Sequence, residues 1–434
     1  MSWKKTIILG LIFLCAGAGY FLDRMMTRKR LLIREREEAL LSLKKEDITA
    51  FTLTNPEGSF RLEKKDETWR LTAPLDLKAD EDQMESLLSN LAGAKRYDPV
   101  ETKDLEQYGL NNPGETITLE CGETNETQTL YIGLESASSG RYFATAKGDK
   151  TVFTVASHIK IFLDKNLFFL RDKNVLNVKG DDIEKIEIIR GKDAIILEKR
   201  NDDEWLLSRP VSDKADIAVV RNLLSDIETL RATSFEDDRN TTPGFYGMDA
   251  PGMYLTIGCG ESTPTLIMGK EDSSSLKVYA KRDGSEQIFT LSKRFVDEIR
   301  KEAEEYRSKE AFCIKVEDIR EIKIIVGESF VSLVREKDDK WSFRGAPDIP
   351  VNQGKVQNLL LEIGALRIVS FEDEFPNSLE TYGLSSPRAR LILYPEDRDK
   401  KEILSFGNKA EDRDVCFARI SHRPLVFGLD WTKV

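Results

Sequence analysis

The chain is short of the residues that carry most enzyme chemistry. Its 434 residues include two histidines, His158 and His422, and five cysteines without a CxxC pair. A Ser-His-Asp triad would need one of those histidines, and no Gly-x-Ser-x-Gly elbow occurs. The absence of a GxxxxGK[ST] loop excludes a P-loop nucleoside triphosphatase. Zinc sites draw on clustered Cys and His, and none cluster along this sequence. Cys15, Cys121, Cys259, Cys313 and Cys416 are too scattered for a disulfide framework. Positive charge is also in deficit, with 65 Lys and Arg against 76 Asp and Glu, a net −11. The first 36 residues carry eight basic and two acidic side chains, which leaves −17 for the remainder. An acidic body disfavours nucleic acid and anionic membrane surfaces as ligands. These absences leave no catalytic, cofactor-binding or metal-binding residue to assign, and no cofactor.

What the chain does have is repetition. Trp69, Trp205 and Trp341 stand at a constant step of 136 residues, and each opens the same pattern. Eleven residues later come Asp80, Asp216 and Asn352, residue types that cap helices by accepting backbone N–H bonds. Gln83, three residues after Asp80, matches a capping box. Apolar stripes follow at i, i+3, i+4, i+7: Met84-Leu87-Leu88-Leu91, Val220-Leu223-Leu224-Ile227 and Val356-Leu359-Leu360-Ile363. That spacing predicts an amphipathic helix with one buried face. Then come Tyr108-Gly109, Tyr246-Gly247 and Tyr382-Gly383, each with a proline four residues after the glycine (Pro113, Pro251, Pro387). The glycine predicts a positive φ, and the proline a rigid entry to the next strand. A further glycine closes a strand at Gly133, Gly269 and Gly407, and an aromatic centres another at Phe153, Phe289 and Phe427.

Elsewhere the period drops to two, as in Phe51-Thr52-Leu53-Thr54 and Thr116-Ile117-Thr118-Leu119, which predicts half-buried antiparallel strands. The fold class is therefore α+β. Each copy should run three strands, the capped helix, a turn, about four more strands and a closing helix. Closing helices are expected at 158–169 and 291–306, whereas the third copy ends near Trp431 without one. The period is domain-sized, which makes the copies tandem domains rather than short solenoid units. What recurs is Trp, Leu, Gly, Pro, aromatics and a cap, the profile of a fold.

Thr6–Leu22 is an uncharged apolar run that would span roughly 25 Å as a helix. Lys4 and Lys5 precede it, and Ala16-Gly17-Ala18 resembles a signal-peptidase site. Because the apolar run continues through Tyr20-Phe21-Leu22, we read an uncleaved anchor, with cleavage as the alternative. The expected division is a flank (1–5), a transmembrane signal anchor (6–22), a charged juxtamembrane helix (23–45) and repeat domains at 46–176, 177–312 and 313–434. Met26, Ile33 and Leu40 lie at heptad spacing on the juxtamembrane helix. By the positive-inside rule, the basic residues after the span would place the domains in the cytoplasm.

The matching acidic runs Ser234-Phe235-Glu236-Asp237 and Ser370-Phe371-Glu372-Asp373 are the candidate carboxylate pairs for a hydrolase, with a solvated turn as the plainer reading. The Ser-rich stretch 133–140 reads as a hairpin loop rather than a phosphate cradle, and Cys121 and Cys259 look alike through common ancestry rather than pairing.

Trp69-x-Leu71-x-x-Pro74, Trp205-x-Leu207 with Pro210, Ala79-Asp80, Ala215-Asp216 and the Tyr-Gly-[Leu/Met]-x-x-Pro runs resemble the bacterial domain of unknown function 4340 over residues 45–434. The third copy departs from the pattern at Gly345-Ala346-Pro347 and Val351-Asn352. The resemblance implies one N-terminal anchor in the cytoplasmic (inner) membrane, domains on the extracytoplasmic or periplasmic side, and association with ABC permease or gliding-motility-type subunits. It implies no catalytic residues. The expectation is a non-enzymatic, membrane-anchored scaffold or accessory subunit with a protein partner in the envelope. An envelope glycan-binding module and a carboxylate-dependent hydrolase are the alternatives.

Overall fold

The computed structural model describes residues 20–21, 23–28, 38–102, 104–122, 124–202, 204–236, 242–272, 274 and 276–434. These form two compact units, residues 1–175 with 231–237 and residues 176–230 with 238–434. No helix among the described residues is long and apolar enough to cross a membrane. The expected span at 6–22 lies, apart from Tyr20 and Phe21, outside the described residues.

The first unit opens with β1 (Ile48–Asn55), β2 (Gly58–Lys65), β3 (Thr68–Ala73) and β4 (Leu77–Lys78). Then come α1 (Glu81–Gly93), β5 (Tyr97–Glu101), β6 (Glu115–Cys121), β7 (Thr127–Glu135), β8 (Tyr142–Ala146) and β9 (Thr151–Val155). Two short helices close it, α2 (Ser157–Leu163) and α3 (Leu167–Leu170). All the strand pairs are antiparallel, in the order β4-β3-β2-β1-β6-β7-β8-β9-β5. One face is apolar because side chains alternate along a strand. Phe51, Leu53, Phe60, Leu62, Trp69, Leu71, Ile117 and Leu119 are buried on it, beneath Met84, Leu87, Leu88 and Leu91 of α1 and Ile159 and Leu163 of α2. Each such side chain contributes roughly 1.5–3 kcal/mol when fully buried. The outer face is polar, with Thr118 and Thr129 hydroxyls 3.0 Å apart and Arg61 bonded to Glu120 at 2.8 Å.

The second unit contains two copies of the same plan. One has β10 (Lys185–Arg190), β11 (Asp193–Asn201), β12 (Glu204–Arg209), β13 (Asp213–Lys214) and α4 (Ile217–Glu228). After β14 (Ser234–Glu236), whose residues belong with the first unit, come β15 (Met253–Gly258), β16 (Thr265–Asp272), β17 (Lys277–Arg282), β18 (Ile288–Ser292) and α5 (Lys293–Ile299). Within the unit the order runs β13-β12-β11-β10-β15-β16-β17-β18. The other copy has β19 (Glu321–Val326), β20 (Ser329–Arg335), β21 (Trp341–Phe343), α6 (Gln353–Ala365), β22 (Ile368–Asp373), β23 (Ala389–Tyr394), β24 (Glu402–Lys409), β25 (Val415–Ile420) and β26 (Val426–Asp430). Its order is β21-β20-β19-β23-β24-β25-β26-β22.

The recurrent residues have physical roles. All three tryptophans are buried. Asp80, Asp216 and Asn352 cap α1, α4 and α6, accepting from Gln83, from Ala218 and Val219, and from Lys355. Gln83 is not the side chain that ties the first cap to the sheet. Glu81 accepts from the Trp69 N–H at 2.8 Å, as Gln353 does from Trp341 at 2.9 Å. Gly109, Gly247 and Gly383 have φ of +70°, +77° and +68°, the left-handed region that spares only glycine a steric cost.

Three expectations need correction. Gly133, Gly269 and Gly407 do not end strands. They lie within β7, β16 and β24, where the ladder register shifts and the carbonyl of Tyr108, Tyr246 or Tyr382 presses in. The closing helices are each split in two. In the first copy Asn166 starts a new turn by accepting from Phe169, and in the second a Glu302–Glu305 capping box starts the 3-10 turn Ala303–Tyr306. Finally, the stretch 39–44 is not helical, and Leu40 is fully buried in the first core, which takes it off the expected juxtamembrane helix. The Ser-rich stretch is a hairpin turn, closed by Ser136 N–H donating to the Arg141 carbonyl.

Candidate functional site: a thiol, imidazole and carboxylate cluster

Each domain is entered by a short segment that bridges the residue just past its capped helix, through Ala39–Lys95, Asn174–Arg231 and Glu310–Arg367. In the first copy Gln128 of β7 clips this entry segment to the sheet. Its amide oxygen accepts from Ser42 N–H and Oγ at 2.8 and 2.9 Å, and its amide nitrogen donates to the Leu40 carbonyl at 3.1 Å. The third copy places Glu402 of β24 in that role and Cys313 where Ser42 stands. Both carboxylate oxygens of Glu402 accept from the Cys313 N–H, at 3.1 and 3.0 Å.

His422, on the turn between β25 and β26, completes a group that, among the described residues, occurs in the third copy. Its Nε2 lies 3.4 Å from Cys313 Sγ and its Nδ1 3.5 Å from Glu402 Oε1. The three ligand atoms fall within 4.8 Å of one another. Beside them a cavity of about 230 Å³ is lined by Glu310, Phe312, Cys313, Lys315, Ile363 and Arg367 among others.

The electrostatics argue against an activated nucleophile. Burial, with the Glu402 charge adding, pushes the Cys313 thiol above its ordinary value. Burial, with the Arg423 cation adding, holds His422 down to about 4. A thiolate–imidazolium pair needs the opposite shifts. Neutral imidazole and a soft sulfur are, however, metal ligands. Zinc bond lengths of about 2.3 Å to sulfur and 2.0–2.1 Å to nitrogen place a tetrahedral S and N roughly 3.5 Å apart, close to the separation seen. Glu402 Oε1 lies 3.5 Å from Nδ1, on the side of the ring where outer carboxylates stand in metal sites. Cys313 and His422 are 109 residues apart, so no spacing rule joins them; only the shared entry-clip position does.

The acidic runs have a different task. Phe235 lies 3.5 Å from the Arg171 guanidinium, and Phe371 lies 3.6 Å from that of Arg307. Arg307 is buried, donates to Asp213 at 2.8 Å and pairs with Glu374, while Arg423 reaches the other Asp213 oxygen at 3.1 Å. Glu372 is held by Arg413 at 2.7 Å, and Asp373 accepts from Tyr382 OH at 3.0 Å. These carboxylates anchor a strap. Among the described residues, Glu372 and Asp373 are each held by a separate partner, Arg413 and Tyr382. Asp237 lies outside the described residues. The four described cysteines other than Cys15's segment, Cys121, Cys259, Cys313 and Cys416, are free thiols.

No curated protein matches the chain. Three overlapping stretches, residues 69–251, 205–374 and 341–432, match the domain of unknown function DUF4340, and each begins at one of the repeated tryptophans. With matches running from residue 69 to residue 432, the chain belongs to the DUF4340 family, carried in tandem copies.

Proposed function

We propose that the chain is a non-enzymatic scaffold or accessory subunit of a cell-envelope complex, held at the cytoplasmic membrane by residues 6–22 and presenting its domains to a protein partner. An ABC-type permease assembly or a gliding-motility-type complex is the kind of partner in view. One observation carries the reading: the positions that recur in all copies serve packing, capping and turn formation. The tryptophans are buried, the glycines receive a carbonyl, and the best-placed acids are engaged by Arg413, Arg307 and Tyr382. The three repeated tryptophans are buried and so are not themselves available to stack on sugars. Crosslinking in cells at native expression, followed by membrane extraction and mass spectrometry, tests the proposal. Recovery of a permease or its auxiliary subunit supports it. Recovery of the chain with glycan fragments alone contradicts it.

A further inference from the structure

The three domains differ where the entry segment meets the sheet, and register aligns the positions. Leu119, Ile257 and Leu393 stand in equivalent strands, and across from them lie Gln128, Pro264 and Glu402. The bridges at Ala39, Asn174 and Glu310 align Ser42, Asn177 and Cys313, each three residues on. The hairpin turns align through N–H groups of Asp149, Ser285 and Arg423, which donate to the carbonyls of Ala146, Arg282 and Ile420. That places Gly148, Gly284 and His422 at one position. The first domain thus has Ser, Gln and Gly, the second Asn, Pro and Gly, and the third Cys, Glu and His. A thiol, a carboxylate and an imidazole arrive together in one domain, at positions where its sisters carry none of them.

Their geometry selects a class of ion. Cys313 Sγ and His422 Nε2 are 3.4 Å apart. With metal bonds of about 2.3 Å to sulfur and 2.0–2.1 Å to nitrogen, that separation subtends roughly 103° at the ion. The angle is near tetrahedral and far from a linear two-ligand arrangement. Sulfur with imidazole suits zinc-class cations, whereas magnesium and calcium take oxygen. Both Glu402 oxygens already accept from the Cys313 N–H, at 3.1 and 3.0 Å, and Oε1 faces His422 Nδ1 at 3.5 Å. That carboxylate therefore stands behind the ring, outside the ion's direct contacts. Cys313 and His422 both reach solvent, so an ion has an entry path and water can complete its coordination. The neighbouring cations are engaged by carboxylates: Lys214 pairs with Glu310 at 3.5 Å and Arg423 with Asp213 at 3.1 Å.

We propose that Cys313 Sγ and His422 Nε2 bind a divalent cation of the zinc class, with Glu402 behind the ring, and that the ion staples the third domain's entry segment to the β25–β26 turn. Binding releases the thiol proton to water. The first domain ties its entry segment with an uncharged clip, Ser42 to Gln128. The staple lies where the strap ends. Arg423, next to His422, donates to the Ser308 carbonyl at 3.2 Å, and Arg307 of the same segment holds Asp213 at 2.8 Å. Metal occupancy thus sets how firmly residues 308–313 are held. The site neither needs nor excludes an envelope partner, so its failure leaves the scaffold proposal standing.

The test uses the tag-free full chain in detergent, reduced, stripped of metal by a chelator, and titrated with cobalt(II) and then zinc(II). A thiolate charge-transfer band is expected to saturate at one ion per chain and to be displaced by zinc. Zinc should also slow hydrogen exchange across residues 308–315. Cys313→Ser and His422→Gly each supply the first domain's residue at a position where that domain folds, and each should abolish the band. Glu402→Gln, matching Gln128, should keep the band and weaken binding about 10–100-fold. Cys259→Ser, at the other partly exposed thiol among the described residues, should change nothing. Urea midpoints of the metal-free variants check the fold. No saturable band, or a band that survives Cys313→Ser, overturns the proposal. So does a band that survives His422→Gly, the signature of a lone thiol. A bound ion that adds no protection to residues 308–315 overturns the staple.

Discussion

Gly133→Ala should destabilise the first domain, while Gly114→Ala, in the same domain, should not. A Cβ at Gly133 would sit 2.1 Å from the Tyr108 carbonyl oxygen, 3.1 Å from Leu110 Cδ2 and 3.2 Å from the Gly109 carbonyl carbon. Non-bonded heavy atoms settle at roughly 3.5–4.0 Å, so the turn or the strand must yield by more than about 1 Å. The turn is a 3-10 turn ending in left-handed Gly109, and it has little slack to give. Overpacking of this kind costs about 1–3 kcal/mol, and a backbone oxygen in the way puts the cost toward the upper end. At Gly114 a Cβ meets nothing within 4 Å, and the third copy has Arg388 at the corresponding site. That substitution should therefore be neutral or slightly stabilising. Urea titration of the full chain, read by hydrogen exchange in peptides from β6 and β7, measures both. With a slope of about 1–3 kcal/mol per molar, Gly133→Ala should lower the midpoint for those peptides by about 1 M. Gly269→Ala and Gly407→Ala, facing Tyr246 and Tyr382 carbonyls at 2.2 and 2.1 Å, are internal repeats of the experiment. Equal midpoints for Gly133→Ala and Gly114→Ala would refute the argument that this glycine exists to admit a carbonyl.

Arg307→Ala removes a buried cation from Asp213 and Glu374 and should cost about 3 kcal/mol, the low end for breaking a buried pair because Arg423 still reaches Asp213. A denaturation midpoint unchanged within error would show that the strap bears no load. His422 is held down to about 4 when folded, against 6.5 ordinarily, so at pH 5 the unfolded chain binds the extra proton. Its burial therefore makes stability rise with pH between about 4 and 6.5. Glu402, raised by burial, works in the opposite sense above its ordinary value. His422→Asn should flatten the His422 part of this slope, and an identical pH profile would count against the shift. Cobalt(II) should give a thiolate charge-transfer band that strengthens as pH rises and disappears in Cys313→Ser, since the bound form requires a deprotonated sulfur. A band that survives Cys313→Ser would place the metal elsewhere.

Much of the fold was legible because its signals are local and occur three times. The Asp80, Asp216 and Asn352 caps, the left-handed glycines and the α1, α4 and α6 stripes follow from nearest-neighbour chemistry and from burial of one helix face. The strand glycines were misplaced because their constraint comes from a carbonyl 23 or 25 residues away in sequence, brought close only by the fold. The split closing helices turned on the side-chain caps of Asn166 and Glu302, which short-range periodicity overlooks. The cluster of Cys313, Glu402 and His422 had no sequence signal, since its members come from an entry segment, a strand and a hairpin turn. The strap role of Phe235 and Phe371 was hidden for a related reason. An aromatic in an acidic run reads as a turn until the arginine that stacks on it is located.

The most direct test of the account is crosslinking of the full chain at native expression in cells, followed by membrane extraction and mass spectrometry of what it captures. The account predicts recovery of an envelope membrane protein, such as a permease or its auxiliary subunit. Recovery of only this chain, or of the chain with glycan fragments alone, would contradict it.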